Sequence, residues 1–240
     1  MSDTAPLSCT NIVKQYGDNL VLNNVSLSLN AGEIFGLIGL NGVGKTTLIK
    51  IILDLSRADE GAALLFGESS TKASARRNVS YLPERFQPSR YLRGEEYLSL
   101  CLSYFGRTLD MAKAEEEARA VDLLPEALIR KVGSYSKGMG QKLGLMGAFM
   151  ADAPFLILDE PMSGLDPRAR IMLKERLLKE KKAGKTIFFS SHILSDIDEI
   201  CDRIGVISGS KLIYVGKPAE FKQHYPSDTL EKSFLKSIAA

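Results

Sequence analysis

Gly39-Leu40-Asn41-Gly42-Val43-Gly44-Lys45-Thr46 follows the apolar run Ile34–Ile38 and precedes an apolar-periodic stretch that predicts a helix over 45–53. The octet fits G-x-x-x-x-G-K-[ST]. Glycines let the backbone curl until several N–H groups face inward, making a nest for anionic oxygens. The helix that follows adds its positive N-terminus. Lys45 offers a point charge to β- and γ-phosphates, and the Thr46 hydroxyl is a ligand for Mg2+. With Thr47 added, residues 39–47 are the candidate cradle for a nucleoside triphosphate. Strand, glycine loop and helix in that order open a nucleotide-binding α/β core.

Further along, Phe155-Leu156-Ile157-Leu158-Asp159-Glu160 is four apolar residues ending in two acids. The pattern is that of a strand buried on both faces, which can carry carboxylates only at its end, where they meet a ligand or water. Asp159 is the expected Mg2+ carboxylate, directly or through water. Glu160 is the expected base that accepts a proton from, or orients, the attacking water.

The rest of the chain arranges itself around these two stretches. Residues 7–13 and 21–29 alternate like paired strands, with Val25, Leu27 and Leu29 on one face. Residues 95–105 and 111–122 carry helical spacing and are rich in Glu and Ala, reading as a helical lobe inserted into the α/β core. Another helix is predicted over 136–150, an amphipathic one over 168–182 ending at Gly184, and a strand over 186–190. Residues 203–207 and 211–215 flank Ser208, Gly209 and Ser210 as a hairpin, and 229–238 is a short helical pattern. The basic run 179–185, with Glu180 inside it, reads as a solvated helix end.

Bulk composition narrows the classes. The 240 residues are 45% hydrophobic and 25% charged, ordinary for a folded globular chain, and the net charge of +2 does not mark a general nucleic-acid binder. Cys9, Cys101 and Cys201 form no CxxC pair, which argues against a zinc site or disulfide framework and fits a reduced, cytosolic setting. The first eleven residues lack a basic start and an apolar stretch, so no signal peptide is expected. No apolar run approaches the roughly 20 residues that span a bilayer, so work at a membrane would need another subunit to cross it.

A family resemblance enters with Tyr135-Ser136-Lys137-Gly138-Met139-Gly140-Gln141-Lys142, about twenty residues before the acidic strand. It resembles the LSGGQ signature of ABC ATPases: Ser136 and Gly138 match, whereas Tyr135, Lys137 and Met139 depart, in a variant similar to that of exporter-type members. The resemblance implies that Ser136, Gly138 and Met139 cap the γ-phosphate held by an opposite subunit. Ser136 at a helix N-terminus suits that role, while Met139 lacks the amide that the consensus glutamine would bring.

Other segments fall in family order. Ser163-Gly164-Leu165-Asp166 resembles the D-loop, which implies that Asp166 communicates across a dimer seam. His192, after Ser190-Ser191, resembles the switch histidine that contacts the γ-phosphate, and His224 is read as structural. Tyr16 resembles the aromatic residue that stacks on adenine, for which a flat apolar face suffices. In Ser80-Tyr81-Leu82-Pro83-Glu84, Glu84 stands where the family carries the glutamine of the Q-loop. A glutamine can ligate Mg2+ and also donate a hydrogen bond, whereas an ionised glutamate only accepts. Glu84 is therefore expected near the metal, with water positioning shifted toward Glu160 and His192.

The likeness covers residues 7 to about 221. It implies a single ABC ATPase domain over 1–240. Its α/β P-loop NTPase core, with a mostly parallel sheet and an N-terminal antiparallel β subdomain, comprises 1–90 and 151–221. A helical subdomain covers 91–150 and a short tail 222–240, the tail being similar to that of exporter-class members. It further implies Mg-ATP hydrolysis, a head-to-tail dimer sandwiching two ATP molecules, and a multi-span membrane permease that holds the chain at the inner face of the cell membrane. No direct nucleic-acid contact is implied, and export is the expected direction. An importer subunit remains open, as does a non-transport ABC ATPase of translation or repair, although one cassette and no sustained heptad run disfavour the latter. A stand-alone P-loop kinase or GTPase would leave the signature helix without a purpose.

Overall fold

In the computed structural model, which describes residues 4–239, the alternating N-terminal stretch forms β1 (Leu7–Tyr16) and β2 (Asn19–Ser28), paired antiparallel. Later come β4 (Glu60–Leu65) and β5 (Glu68–Ser69), completing an antiparallel sheet of order β2-β1-β4-β5. Leu7, Cys9, Ile12, Leu22, Val25, Leu27 and Leu29 are buried, so the face expected for Val25, Leu27 and Leu29 points inward. The register shifts between Cys9 and Ile12, where Asn11 takes the left-handed φ of 51°; a bulge there lets inward alternation resume.

The second sheet holds β3 (Ile34–Ile38), β6 (Val79–Leu82), β7 (Phe155–Asp159), β8 (Thr186–Ser191), β9 (Arg203–Ser208) and β10 (Lys211–Gly216). Its order is β10-β9-β3-β8-β7-β6, parallel throughout except for the β9–β10 hairpin. Every residue of β3, β7 and β8 is buried, because both faces of the sheet are covered. Alternation along the strands divides the core in two. Phe35, Leu37, Phe155, Ile157 and Phe188 pack with the antiparallel sheet and α1 (Lys45–Ile52). Ile34, Ile38, Leu156, Leu158, Ile187 and Phe189 pack with the helices of the other face.

Those helices include α2 (Gly94–Tyr104), α3 (Met111–Ala120) and α4 (Lys137–Met150), all inserted between β6 and β7. α5 (Pro167–Lys182), α6 (Leu194–Ile200), α7 (Pro218–His224) and α8 (Leu230–Ala239) follow. Side-chain caps start three of them: Asp110 Oδ1 accepts from Ala112 N at 3.0 Å, Ser136 Oγ from Met139 N at 3.2 Å, and Asp166 Oδ1 from Ala169 N at 2.9 Å. Among the described residues no helix is long and apolar enough to cross a membrane.

Two features differ from expectation. The helices α6 and α7 and the two-residue β5 carry too few residues for periodicity to declare them, and β4, Glu60-Gly61-Ala62-Ala63-Leu64-Leu65, does not alternate. The basic run 179–185 is not simply a solvated end: Glu180 is buried, paired with Arg176 and Lys185, and Lys185 also reaches Asp152 at 2.7 Å. Arg176 Nε lies 2.8 Å from Glu117 of α3, and its guanidinium lies over the Phe149 ring. A buried carboxylate must find cations; both come from α5 and the residues just after it, and Glu117 of α3 and Asp152 in turn hold Arg176 and Lys185 in place.

Candidate functional site

The carboxyl ends of β3, β7 and β8 lie side by side, with Ile38 beside Ser191 and Asp159 beside Ser190. Ligands of open α/β sheets bind at such an edge. β3 runs straight into the loop 39–44. Gly42 and Gly44 take φ values of 79° and 113°, and a Cβ on Gly44 would lie 2.9 Å from the Val21 carbonyl oxygen. A Cβ on Gly39 would lie 2.7 Å from the Ile207 carbonyl oxygen. These glycines are required by conformation and by close approach. Helix α1 then opens at Lys45 with no side chain capping its first amides, so those donors face the loop's concavity.

Lys45 is buried, and its Nζ donates to the carbonyl oxygens of Gly39 at 2.8 Å and Leu40 at 3.3 Å. The same nitrogen stands 3.6 Å from Glu160 Oε1. Glu160 follows β7 in the left-handed conformation, φ 51°, a costly backbone for a non-glycine residue and common at functional sites. Its Oε2 accepts from His192 Nδ1 at 2.6 Å and from the His192 amide at 3.3 Å. A carboxylate accepts, so the shared proton is assigned to Nδ1 of the imidazole.

Ser190 fixes the two acids relative to each other. Its hydroxyl donates to Asp159 Oδ1 at 2.5 Å and accepts from the Glu160 amide at 3.0 Å. Asp159 Oδ2 and Glu160 Oε1 are buried and receive no hydrogen bond. Beside them lies a cleft of about 320 Å³, lined by Asn41, Gly42, Gly44, Lys45, Thr46, Thr47, Glu84, Glu160, Ser163 and His192; Asp159, fully buried, sits behind this lining and not in it. One chain therefore brings most of the loop, Glu84, Glu160 and His192 into a single cavity.

The remaining predicted residues lie elsewhere. Gly39 serves the cradle's packing, Val43 packs on the core beside α1, and Leu40 is exposed. Tyr16 is half exposed, its hydroxyl 3.3 Å from Ser56 Oγ and its ring 5.1 Å from Lys14 Nζ. Ser136, Gly138, Met139 and Asp166 do not line the cleft. They belong to the start of α4 and the segment it packs on: a Cβ on Gly138 would stand 3.0 Å from the Gly164 carbonyl oxygen, and Gln141 Nε2 donates to the Pro161 carbonyl at 3.2 Å.

Burial raises the Asp159 carboxyl above the ordinary aspartate range, and the nearby charges of Glu84 and Glu160 push the same way, while the Ser190 and Thr46 hydroxyls pull it down. Among the described residues no group of three or more His, Cys, Asp or Glu forms a ready metal cage. Mg2+ fits such a site nonetheless, because it keeps waters and binds through one or two carboxylates plus substrate phosphates. The orphaned Asp159 Oδ2, the Thr46 hydroxyl and the Glu84 carboxylate are suitable hard donors.

The raised Asp159 pKa has a testable cost. The folded chain holds that proton more readily than the unfolded chain, so stability without nucleotide falls as pH rises from the ordinary aspartate range through the raised value, and stays low above it. Asp159→Asn is expected to raise the nucleotide-free melting temperature at neutral pH by roughly 2–4 °C and to flatten that pH dependence. An unchanged or lowered Tm in a calorimeter would refute the assignment.

The family described as ABC transporter matches residues 22–163, more than half of the chain. The chain belongs to the ABC transporter family. Relatives of this ABC transporter family member include an uncharacterized ABC transporter ATP-binding protein of Synechocystis sp., 40% identical over 206 residues, covering 83% of this chain and 57% of the relative. The Nod factor export ATP-binding protein I of Burkholderia orbicola is 38% identical over 229 residues, covering 89% of this chain and 71% of the relative. A solved structure described as the ATP binding subunit of an ABC transporter superposes with a TM-score of 0.87 at 30% identity, over 98% of this chain and 99% of that one. The chain thus spans under three-fifths of the length of the Synechocystis relative. The ABC ATPase fold expected from the motifs is the fold observed, and a nucleotide is the ligand class of the cradle.

Sequence reading of this family member missed Ser163, which lines the cleft, and Ser190, which holds both acids. A serine carries no local signature of either role. Ser190 acquires its role only because β8 pairs with β7 so that it faces Asp159.

Proposed function

We propose that this chain is the ATP-hydrolysing subunit of a transporter, working as a head-to-tail pair beneath a separate membrane permease, and that the transporter exports its substrate. The reading rests on one observation: the Glu160 carboxylate is held between Lys45 Nζ at 3.6 Å and His192 Nδ1 at 2.6 Å, at the rim of the phosphate loop.

In this reading the loop amides and Lys45 bind the β- and γ-phosphates, and Tyr16 stacks on adenine. Thr46 and Asp159, with Glu84 nearby, would hold Mg2+, which would supply charge neutralisation on the phosphate oxygens. Glu160 orients a water and accepts its proton as the water oxygen bonds to the γ-phosphorus and the bond to the β-phosphate oxygen breaks, leaving ADP and phosphate. His192 holds the Glu160 carboxylate in place and faces the γ-phosphate. Glu84 can accept but not donate toward water, so positioning of the nucleophile falls to Glu160 and His192.

A single copy leaves Ser136, Gly138, Met139 and Asp166 away from its own cleft, which supports their use on the nucleotide of a second copy. Shared γ-phosphate contacts would then close the pair, and hydrolysis would release it. The direction, export, is supported by the Tyr135–Met139 variant of the signature and by export-named relatives. Contacts with the permease and attachment to the membrane's inner face follow from the same reading.

Head-to-tail completion is tested by complementation. Lys45→Ala and Ser136→Glu chains should each be nearly inactive alone, because each homodimer has two broken sites. Coexpressed with the permease, their heterodimers contain one site with both parts intact. ATPase activity well above that of either preparation is expected, and activity no higher than the two would refute the arrangement.

A further inference from the structure

The first two turns of α4 touch the segment 161–166 at three places. Two are the Gly138–Gly164 and Gln141–Pro161 contacts described above. At the third, Lys142 Nζ lies 3.9 Å from Asp166 Oδ2. Lys142 alone among these residues also reaches beyond that segment, to the end of α3: the same ammonium donates to the Asp122 carbonyl at 2.7 Å and to Asp122 Oδ2 at 2.9 Å. Asp122 takes the left-handed φ of 60°, which turns its carbonyl back toward α4. Arg168 Nε, at the start of α5, stands 3.3 Å from the other Asp122 oxygen but is largely exposed, whereas Lys142 is buried.

A buried ammonium with three oxygen neighbours from two separate segments acts as a joint, because moving either segment leaves a charge unpaired. Asp166 Oδ1 accepts from the Ala169 amide at 2.9 Å, while Oδ2, on the half-exposed side, stands within ion-pair reach of Lys142 at 3.9 Å. Its direction is therefore set jointly by α5 and by α4.

We propose that Lys142 is a positioning residue for ATP hydrolysis, tying Asp166 and its loop to the helical lobe through Asp122 so that the loop reaches the opposite copy in register. The inference rests on the paired arrangement proposed above. It concerns a residue that touches neither nucleotide nor metal within its own chain.

The test uses the full chain copurified with its permease. Lys142→Met should lower kcat roughly 10- to 100-fold, the scale of a misplacement acting from a distance. The Kd for a fluorescent ATP analogue, read without turnover, should stay within about twofold. Lys142→Arg should restore most of the kcat, because a guanidinium can serve both carboxylates. Amide hydrogen exchange over 163–166 should speed up in Lys142→Met and return toward the parent rate in Lys142→Arg. If the Met variant does not fold, Asp122→Asn takes the charge out of the lobe half of the joint at a partly exposed position, leaving the 2.7 Å bond to the Asp122 carbonyl, and should still lower kcat in the same direction. Unchanged kcat in the folded Met variant, or in Asp122→Asn, would overturn the proposal. So would a kcat loss matched by an equal loss of nucleotide affinity, or one that arginine does not rescue. A parent chain that hydrolyses ATP normally separates these outcomes from failure of the ATPase reading itself.

Discussion

Glu160→Gln is expected to bind ATP about as well as the parent chain and to lose roughly 100- to 10,000-fold in turnover, the usual contribution of a positioned base. The substitution keeps the size of the side chain and keeps an oxygen that can accept from His192 Nδ1, now 2.6 Å away. It removes the group that can take a proton. It also removes the negative charge 3.6 Å from Lys45 Nζ, which leaves the ammonium free to serve phosphate alone, so affinity should not fall. Without hydrolysis the γ-phosphate contacts persist, and gel filtration in Mg-ATP should show a lasting dimer that the parent forms only transiently. Turnover within a few-fold of the parent would move the base elsewhere, with Glu84 the first candidate because it lines the same cleft.

Lys45→Ala is expected to act earlier, on binding. Hydrogen bonds to charged groups contribute about 1.5–3 kcal/mol, so losing the ammonium should weaken ATP binding roughly 10- to 100-fold. The structure adds a second consequence. Lys45 Nζ bonds the carbonyls of Gly39 and Leu40, closing the loop on itself, and it is the cation beside Glu160 Oε1, which receives no hydrogen bond. Both would be left without that donor. Equilibrium binding of ATP to the isolated variant measures the effect, and an unchanged Kd would remove the loop from phosphate recognition. The two variants would thus separate the two proposed roles in one cleft, Lys45 acting in the ground state and Glu160 when water attacks.

Much of the architecture could be read in advance because it rests on local rules. The glycines of the loop, the apolar run before Asp159, and the helical periodicity of residues 95–105, 111–122 and 168–182 each declare their element within a few residues. Strand β7 runs from Phe155 to Asp159 and α4 starts just after its cap at Ser136, as the pattern predicts. The seven-residue helices α6 and α7 escaped, since two turns cannot establish a period. The basic run at 179–185 misled for a related reason. Its composition is that of a solvated face, but Glu180 is buried against Arg176 and Lys185, which are themselves tied to Glu117 of α3 and to Asp152, both far away in sequence.

The sequence by itself determined which groups are available: a glycine loop before a helix, two acids at the end of a buried strand, a histidine after the next strand, and a segment resembling the family signature. Their residue types and spacings depend on backbone geometry over a handful of positions. Only the tertiary structure decided which of these groups meet. Parallel pairing of β7 with β8 puts Ser190 against Asp159 and lets His192 reach Glu160, and the packing of α4 keeps Ser136 outside its own cleft while binding Lys142 to Asp122. Hydrogen bonds and ion pairs act over a few ångströms, so contacts between residues tens of positions apart exist only once burial of the sheet has fixed where each strand ends.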